Sequence, residues 1–228
     1  MSAVPAPVPG EPARSWLRGL PLLRSTTPPF DPASADPDPL RLFWDWIVEA
    51  AQAGEPEPQA VVLSTVDAGG RPDARTMSLK DLDAGAFWVA GGATSPKGRQ
   101  LDLSPVAALV FYWPSRGRQV RVRGQVLSGT PERTARDFRE RGEAARTASL
   151  HARQSDPVEA TMDVQAEIDE VKDLITADPA MVAPTWRTWG VRASRVEFWQ
   201  SHPARRHLRL RYDERPDGRG YTQTLLWP

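Results

Sequence analysis

The sequence contains no cysteine. That excludes a disulfide framework, a thiolate nucleophile and any Cys-ligated zinc. Histidine is scarce as well: His151, His202 and His207 are too few and too scattered for a metal site, and none is expected. Net charge is missing too, with 29 Lys+Arg against 29 Asp+Glu. A nucleic-acid binder normally carries a basic excess, so no nucleic-acid partner is expected. A local basic pocket for one small anion stays open. No apolar run approaches the ~20 residues of a membrane helix, and the first residues lack the basic segment and apolar core of a secretory signal. The expectation is a cytoplasmic protein with no membrane partner. There is no internal repeat, and no GxGxxG loop follows the first expected strand, which argues against a dinucleotide-binding fold.

What is present is an ordinary globular composition: 40% hydrophobic and 25% charged over 228 residues, enough for one domain plus a tail. Ten of the 23 prolines fall in the first forty residues. Such density blocks regular structure, so residues 1–36 read as a mobile Pro-rich arm, in which Trp16, Leu17 and Leu20 would form at most a short turn. Residues 37–228 read as the folded domain. It opens with a helix capped by Asp38, with Pro39 at its first position and Gly54 at its close. Leu40, Phe43, Trp44, Ile47 and Ala51 would form its buried face. Strands are expected at 60–66, 74–82, 85–91, 106–113, 118–129, 189–200, 205–213 and 221–228. The 106–113 run is continuously apolar, as in a fully buried strand, whereas 118–129 alternates, with Val120 and Val122 opposite Arg121 and Arg123. Helices are expected at 95–103, 130–142 and 156–176. Many short strands interrupted by a few helices describe a β-barrel with helices packed outside.

Five stretches carry residues suited to chemistry. In "RTMSLK" (75–80), Arg75, Met77 and Leu79 share one strand face and Thr76, Ser78 and Lys80 the other, so a charge at each end either clamps a ligand or is simply solvated. In "TSPKGRQ" (94–100), Ser95 caps a helix whose first turn holds Lys97 and Arg99. Cations there oppose the helix dipole unless an anion is bound, although a plain surface turn has the same sequence. Gln119 offers an amide that both donates and accepts, or an exposed polar strand position. Gln154 and Ser155 open the expected long helix, as an anion site or as an ordinary cap. Arg205, His207 and Arg209 alternate on an expected strand beside Phe198 and Trp199. Three such groups on one side need a negative partner, either a ligand or a structural Asp or Glu.

Together and in this order, "GRPDARTMSLK", "SPKGRQL", "GRQVRVRG", "RQS", "VEFWQ" and a following Arg-x-His-x-Arg resemble the pyridoxine/pyridoxamine 5′-phosphate oxidase family from about Pro39 to Pro228. The resemblance implies an α+β fold, mainly β: an FMN-binding split β-barrel with peripheral helices, working as a homodimer with two FMN sites at the subunit interface. It implies that Arg75 and Lys97 hold the FMN phosphate with Gln154 and Ser155, and that Thr76, Met77, Ser78, Leu79 and Lys80 run along the flavin. Ala90 and Gly91 would border the flavin, Gln119 would reach its polar edge, and Trp199 and Arg209 would complete the site. Lys80 and Arg141 would meet a substrate phosphate, and Arg205 and His207 would act at the substrate ring. The implied activity is an FMN-dependent oxidase, passing a hydride from substrate to flavin N5 and producing hydrogen peroxide from oxygen.

The substrate half of the pattern departs from the family. A Tyr four residues before Arg141 and a Ser four residues after it are replaced by Asp137 and Ala145, and Leu225 or Leu226 stands where an Arg is usual. Losing two charge-assisted contacts to a phosphate costs roughly 3–6 kcal/mol. A non-phosphorylated, dihydrophenazine-like metabolite is therefore the alternative substrate. A flavin-binding module without turnover is the alternative function.

Overall fold

The computed structural model describes residues 13–20 and 27–228; the remainder of the expected N-terminal arm lies outside the described residues. Ala13–Gly19 forms a short helix, α1, with no buried residue. The second half of the expected arm is tied to the domain. Phe30 packs edge-on against Trp46 at 5.4 Å, and its N–H donates to Gln200 Oε1 at 3.0 Å. Gln200 Nε2 donates to the Pro28 carbonyl, and Tyr212 donates to that of Asp36. Ordered contacts thus start ahead of residue 37.

Helix α2 (Pro39–Gln52) begins as expected, with the Asp38 carboxylate accepting from Leu40 N. Its buried face is Leu42, Phe43, Trp46 and Ala50, while Trp44 is 55% exposed and Ala51 lies outside. Arg41, Asp45, Glu49 and Gln52 form one narrow polar stripe and apolar residues cover the rest, so periodicity alone leaves open which part of that broad apolar arc is buried. Strands β1 (Ala60–Val66) and β2 (Pro72–Ser78) form a hairpin. Next come β3 (Asp81–Asp83), β4 (Ala86–Gly92), helix α3 (Pro96–Leu103), β5 (Val106–Trp113) and β6 (Arg118–Ser128). β5 is not fully buried: it alternates, with Val106 and Tyr112 about half exposed.

Helices α4 (Pro131–Arg139) and α5 (Glu143–Leu150) follow, then α6 (Val164–Glu170) and α7 (Lys172–Ala177). The single long helix expected over 156–176 does not form. Its true start is Asp163, whose carboxylate caps Gln165 and Ala166; residues 156–163 run as an irregular connection. Strands β7 (Trp186–Gln200), β8 (Leu208–Glu214) and β9 (Tyr221–Leu225) complete the chain.

The sheet order is β2-β1-β5-β6-β7-β4-β3, with β8 and β9 branching from β7. The long β7 explains the branch. One of its edges pairs with β6 along residues 189–200, whereas the other pairs with β4 along residues 186–192 and with β8 along 195–200. A bulge at Arg123/Gly124 bends this pair, and a Cβ at Gly124 would stand 1.7 Å from the Arg192 carbonyl, so only glycine fits. The barrel closes where β2 ends: Leu79 N donates to Gln59 O on the β1 side, and Lys80 N donates to Trp88 O on β4. Helix α2 plugs the interior, with Phe43 lying 4.9 Å from Phe87 and 4.7 Å from Phe111. Phe43→Ala is expected to cost about 3–5 kcal/mol, read as a lower urea midpoint with an unchanged m-value. A second small core gathers Ala90, Phe138, Ile175, Ala183 and Trp186 outside the barrel.

Candidate active site

A cavity of about 530 Å³ opens between β2, β4, the start of α3, α5 and the connection leading into α6. Met77, Ser78, Ala90 and Gly91 form its inner wall. Lys97 forms the floor and is only 5% exposed. Its Nζ donates to Gln154 Oε1 at 2.8 Å and to Ser95 Oγ at 3.0 Å. The same Ser95 hydroxyl accepts from Gly98 N and donates to Gly92 O, capping α3 as the sequence predicts. Gly91 makes room for this buried cation, because a Cβ there would stand 2.6 Å from Lys97 Cε.

Burial first, and then the nearby Arg75 guanidinium, push the Lys97 ammonium down to about 8 from its ordinary 10.5. The folded chain therefore holds fewer protons than the unfolded chain between those two values, and stability rises with pH through that window. The ligand-free protein is expected to melt at a higher temperature at pH 9.5 than at pH 7.5, and a bound anion is expected to flatten that rise by restoring the ammonium.

Arg75 stands behind the floor rather than in the wall. Its guanidinium donates to Thr65 Oγ1 at 2.6 Å, Leu63 O at 3.2 Å and Asp73 Oδ2 at 2.5 Å, with Gln100 Oε1 at 3.2 Å. Of these partners, Asp73 and Gln100 lie within the "GRPDARTMSLK" and "SPKGRQL" motifs and Thr65 in none; none of the three is assigned to the site from the sequence. Thr76 points outward, and Leu79 packs against the core. Lys80 lines the cavity mouth. Gln154 and Ser155 sit in a turn, not at a helix start; Ser155 has φ +72° and is exposed, and only Gln154 reaches the cavity.

The outer wall belongs to Arg141 and Trp186. The Arg141 guanidinium lies 4.0 Å from the Trp186 ring centroid, and its Nη1 donates to Ser149 Oγ at 2.6 Å. Burial lowers the Arg141 pKa against the opposing pull of Asp137. Asp137 turns its carboxylate to the Trp186 indole, accepting from Nε1 at 2.8 Å. Ser149, Trp186 and Thr185 belong to this wall without having been singled out in the sequence.

The remaining expected residues form a second cluster. Gln119 pairs with Trp199, and Trp199 with Arg209. The His207 ring lies 5.0 Å from that of Trp199. Arg209 is engaged by Glu197, donating from Nε at 2.9 Å and from Nη2 at 2.8 Å. Arg205 is not on the strand, which starts only at Leu208; it occupies an exposed turn with φ +61°. His207 Nδ1 accepts from His202 N at 3.1 Å, which places the proton of the neutral ring on Nε2. Burial, then Arg205 and His202, hold its pKa below the ordinary value.

The two clusters occupy opposite ends of β7. Ala90 pairs with Thr188 and Gln119 with Trp199, eleven residues further along, a strand path of roughly 36 Å. None of Gln119, Trp199, His207 or Arg209 lines the cavity.

Residues 47–175 match the family model described as pyridoxamine 5′-phosphate oxidase. Residues 186–228 match that of the pyridoxine 5′-phosphate oxidase C-terminal dimerisation region. The chain belongs to the pyridoxamine 5′-phosphate oxidase family. Among relatives, a pyridoxine/pyridoxamine 5′-phosphate oxidase of Caulobacter vibrioides is 34% identical over 229 residues, covering 100% of both chains. That of Rhodopseudomonas palustris strain HaA2 is 34% identical over 195 residues, covering 86% of this chain and 92% of its own length. Among solved structures, PhzG from Burkholderia lata 383, in complex with tetrahydrophenazine-1-carboxylic acid, superposes with a TM-score of 0.82 at 26% identity, covering 90% of this chain and 100% of that one. The family fold is the split barrel expected from the sequence, and the match over 186–228 covers β7 to β9, which carry the second cluster apart from Gln119 on β6.

Proposed function

We propose that the protein is an FMN-dependent oxidase whose site is completed by a second copy of the chain. The observation that carries this reading is the separation of the two clusters. Each would hold half of a flavin site, and the roughly 36 Å of strand between them supports a flavin shared between two chains rather than bound within one. A twofold dimer would bring the cavity of one chain against the Gln119–Trp199 end of its partner. The floor fits the cofactor's phosphate: a buried ammonium with only neutral oxygens as partners, beside a glycine whose missing Cβ leaves the space.

In this reading FMN, held by Lys97 and Gln154, would supply the hydride-accepting chemistry and the reoxidation by oxygen that gives hydrogen peroxide. Lys97 and Gln154 hold the phosphate, and Met77, Ser78, Ala90 and Gly91 shape the wall along the ring. Arg75 orients the floor and keeps its field positive. His207 stands as a neutral Nε2–H donor over Trp199, and exposed Arg205 supplies charge to the partner's cavity. No helix among the described residues is long and apolar enough to cross a membrane, and a cytoplasmic location suits a small-molecule substrate.

The substrate is either a pyridoxine- or pyridoxamine-type phosphate, as in the named relatives, or a dihydroaromatic acid such as the ligand of PhzG. Asp137 and Ala145 favour the second. The deciding experiment follows oxygen consumption by the purified protein with each class. Turnover of either at a rate abolished by Arg205→Ala/His207→Ala, with FMN still bound, supports the oxidase; no turnover of any substrate by FMN-loaded protein indicates a binding module.

A further inference from the structure

We propose that Trp227, just beyond the end of β9, is a specificity-determining residue lent to the partner subunit, its indole covering the substrate's ring in the partner's cavity. The inference rests on the shared-site oxidase reading and adds to it the side chain that closes the site over a flat ring.

Three observations meet at this residue. The first is exposure. Trp227 is 89% exposed, whereas Trp46, Trp88, Trp113, Trp186 and Trp189 are all buried. Leu225, two residues earlier, is 65% exposed. A single apolar side chain in water is ordinary. What makes this one informative is how firmly its backbone is held, and beside what.

The second is that anchorage. Leu225 pairs with Leu210 at the end of β9, and the pairing continues one residue further, with Leu226 N donating to Arg209 O at 3.0 Å. The Trp227 carbonyl then accepts from Arg209 Nη1 at 3.2 Å. The other two nitrogens of the same guanidinium, Nε and Nη2, donate to Glu197, which is itself buried. Arg209 is thus a latch that ties the tail to β7. Chain ends usually fray; this one is pinned across the second cluster, since Arg209 lies opposite Trp199, whose ring meets that of His207. The latch fixes the backbone of Trp227 and leaves its indole in solvent.

The third is what faces this end of the molecule. Trp227 falls within residues 186–228, which match the dimerisation region. In the shared-site arrangement the second cluster of one chain stands against the cavity of the other, so the pinned tail travels with it. Met77, Val158, Met162 and Ile168 give that cavity apolar lining apart from its Lys97 and Arg141 cations. An indole brought there finds apolar surface for its own face and offers a wide, flat contact to a planar ring. A ring that is not flat forfeits that contact.

The absence of cysteine from the chain makes the placement directly testable. The FMN-loaded double variant Met162→Cys/Trp227→Cys, treated with a short bis-maleimide, is expected to give a covalent species of twice the chain mass. Either single variant is expected to stay at the mass of one chain. For the role, Trp227→Ala is expected to raise KM about tenfold in the oxygen assay, with kcat and FMN affinity little changed, and Trp227→Phe to recover most of the loss. The substrate in that assay is whichever of pyridoxamine 5′-phosphate and tetrahydrophenazine-1-carboxylic acid the wild type turns over. No covalent dimer from a protein that sediments as an FMN-loaded dimer, or an unchanged KM in Trp227→Ala, would overturn the inference while leaving the oxidase reading intact. A monomer, or a protein that does not load FMN, would remove both.

Discussion

Replacing Lys97 with methionine is expected to weaken FMN binding roughly a hundredfold while making the ligand-free protein more stable near neutral pH. The two effects have one cause. In the floor the ammonium is buried, 5% exposed, with two neutral oxygens and the Arg75 charge as surroundings. Below pH 8 the folded protein carries this charge against its preference, and methionine removes that burden with similar volume. A phosphate reverses the balance, since a charge-assisted contact in a desolvated site is worth about 3 kcal/mol, close to a hundredfold in Kd. Flavin fluorescence quenching reads the first effect and thermal melts of the apoprotein the second. The pH 8 to 10.5 rise in stability should vanish in the same variant. A variant that lost affinity and stability together would point to a structural role for Lys97 instead.

The second large effect is recovery of activity by mixing two inactive proteins. Lys97→Met removes the floor of the cavity, and Arg205→Ala removes a cation from the opposite end of β7. If each site draws on both chains, each variant homodimer carries two defective sites. A heterodimer carrying one change on each chain has one doubly defective site and one intact site. Heterodimers isolated with two affinity tags should therefore recover about half of the wild-type activity per dimer, against a few per cent at most for either parent. A heterodimer as inactive as its parents would mean that both residues serve a site within one chain, contrary to their separation along β7.

Much of the fold was legible because turn and cap chemistry is local. Asp38 before Pro39, Ser95 before Pro96 and Thr130 before Pro131 each start a helix as read, with a side-chain oxygen accepting from the first turn. The alternation of Val120 and Val122 with Arg121 and Arg123 fixed a half-buried strand. What failed was phase and continuity. In α2, Leu40, Leu42, Phe43, Trp44, Trp46 and Ile47 share one broad apolar arc, and only the barrel's interior selects the part that holds Trp46. The β5 run is apolar throughout, yet one face is open, and sequence cannot tell a buried face from one reserved for a partner. Residues 156–163 have apolar residues at helical spacing, but the chain enters them through Ser155 at positive φ and starts a helix only at Asp163.

The site divides in the same way. Charged residues in motifs were visible, and Lys97, Gln154, Lys80 and Arg141 do converge on one cavity. Their grouping apart from Gln119, Trp199, His207 and Arg209 depends on strand pairing at long range, and no local pattern carries it. In the sequence Asp137 stands only as the loss of a phosphate contact; in the fold its carboxylate is committed to the Trp186 indole. Ser149 lies in no motif, and its meaning comes only from what surrounds it.

A titration of the apoprotein with FMN and with riboflavin, followed by fluorescence quenching, bears most directly on the proposed cradle. FMN should bind at submicromolar concentration and riboflavin roughly a hundredfold more weakly, because Lys97 and Gln154 recognise the phosphate that only FMN carries. Equal affinity for the two flavins, or a colourless protein that takes up neither at micromolar concentration, would contradict it.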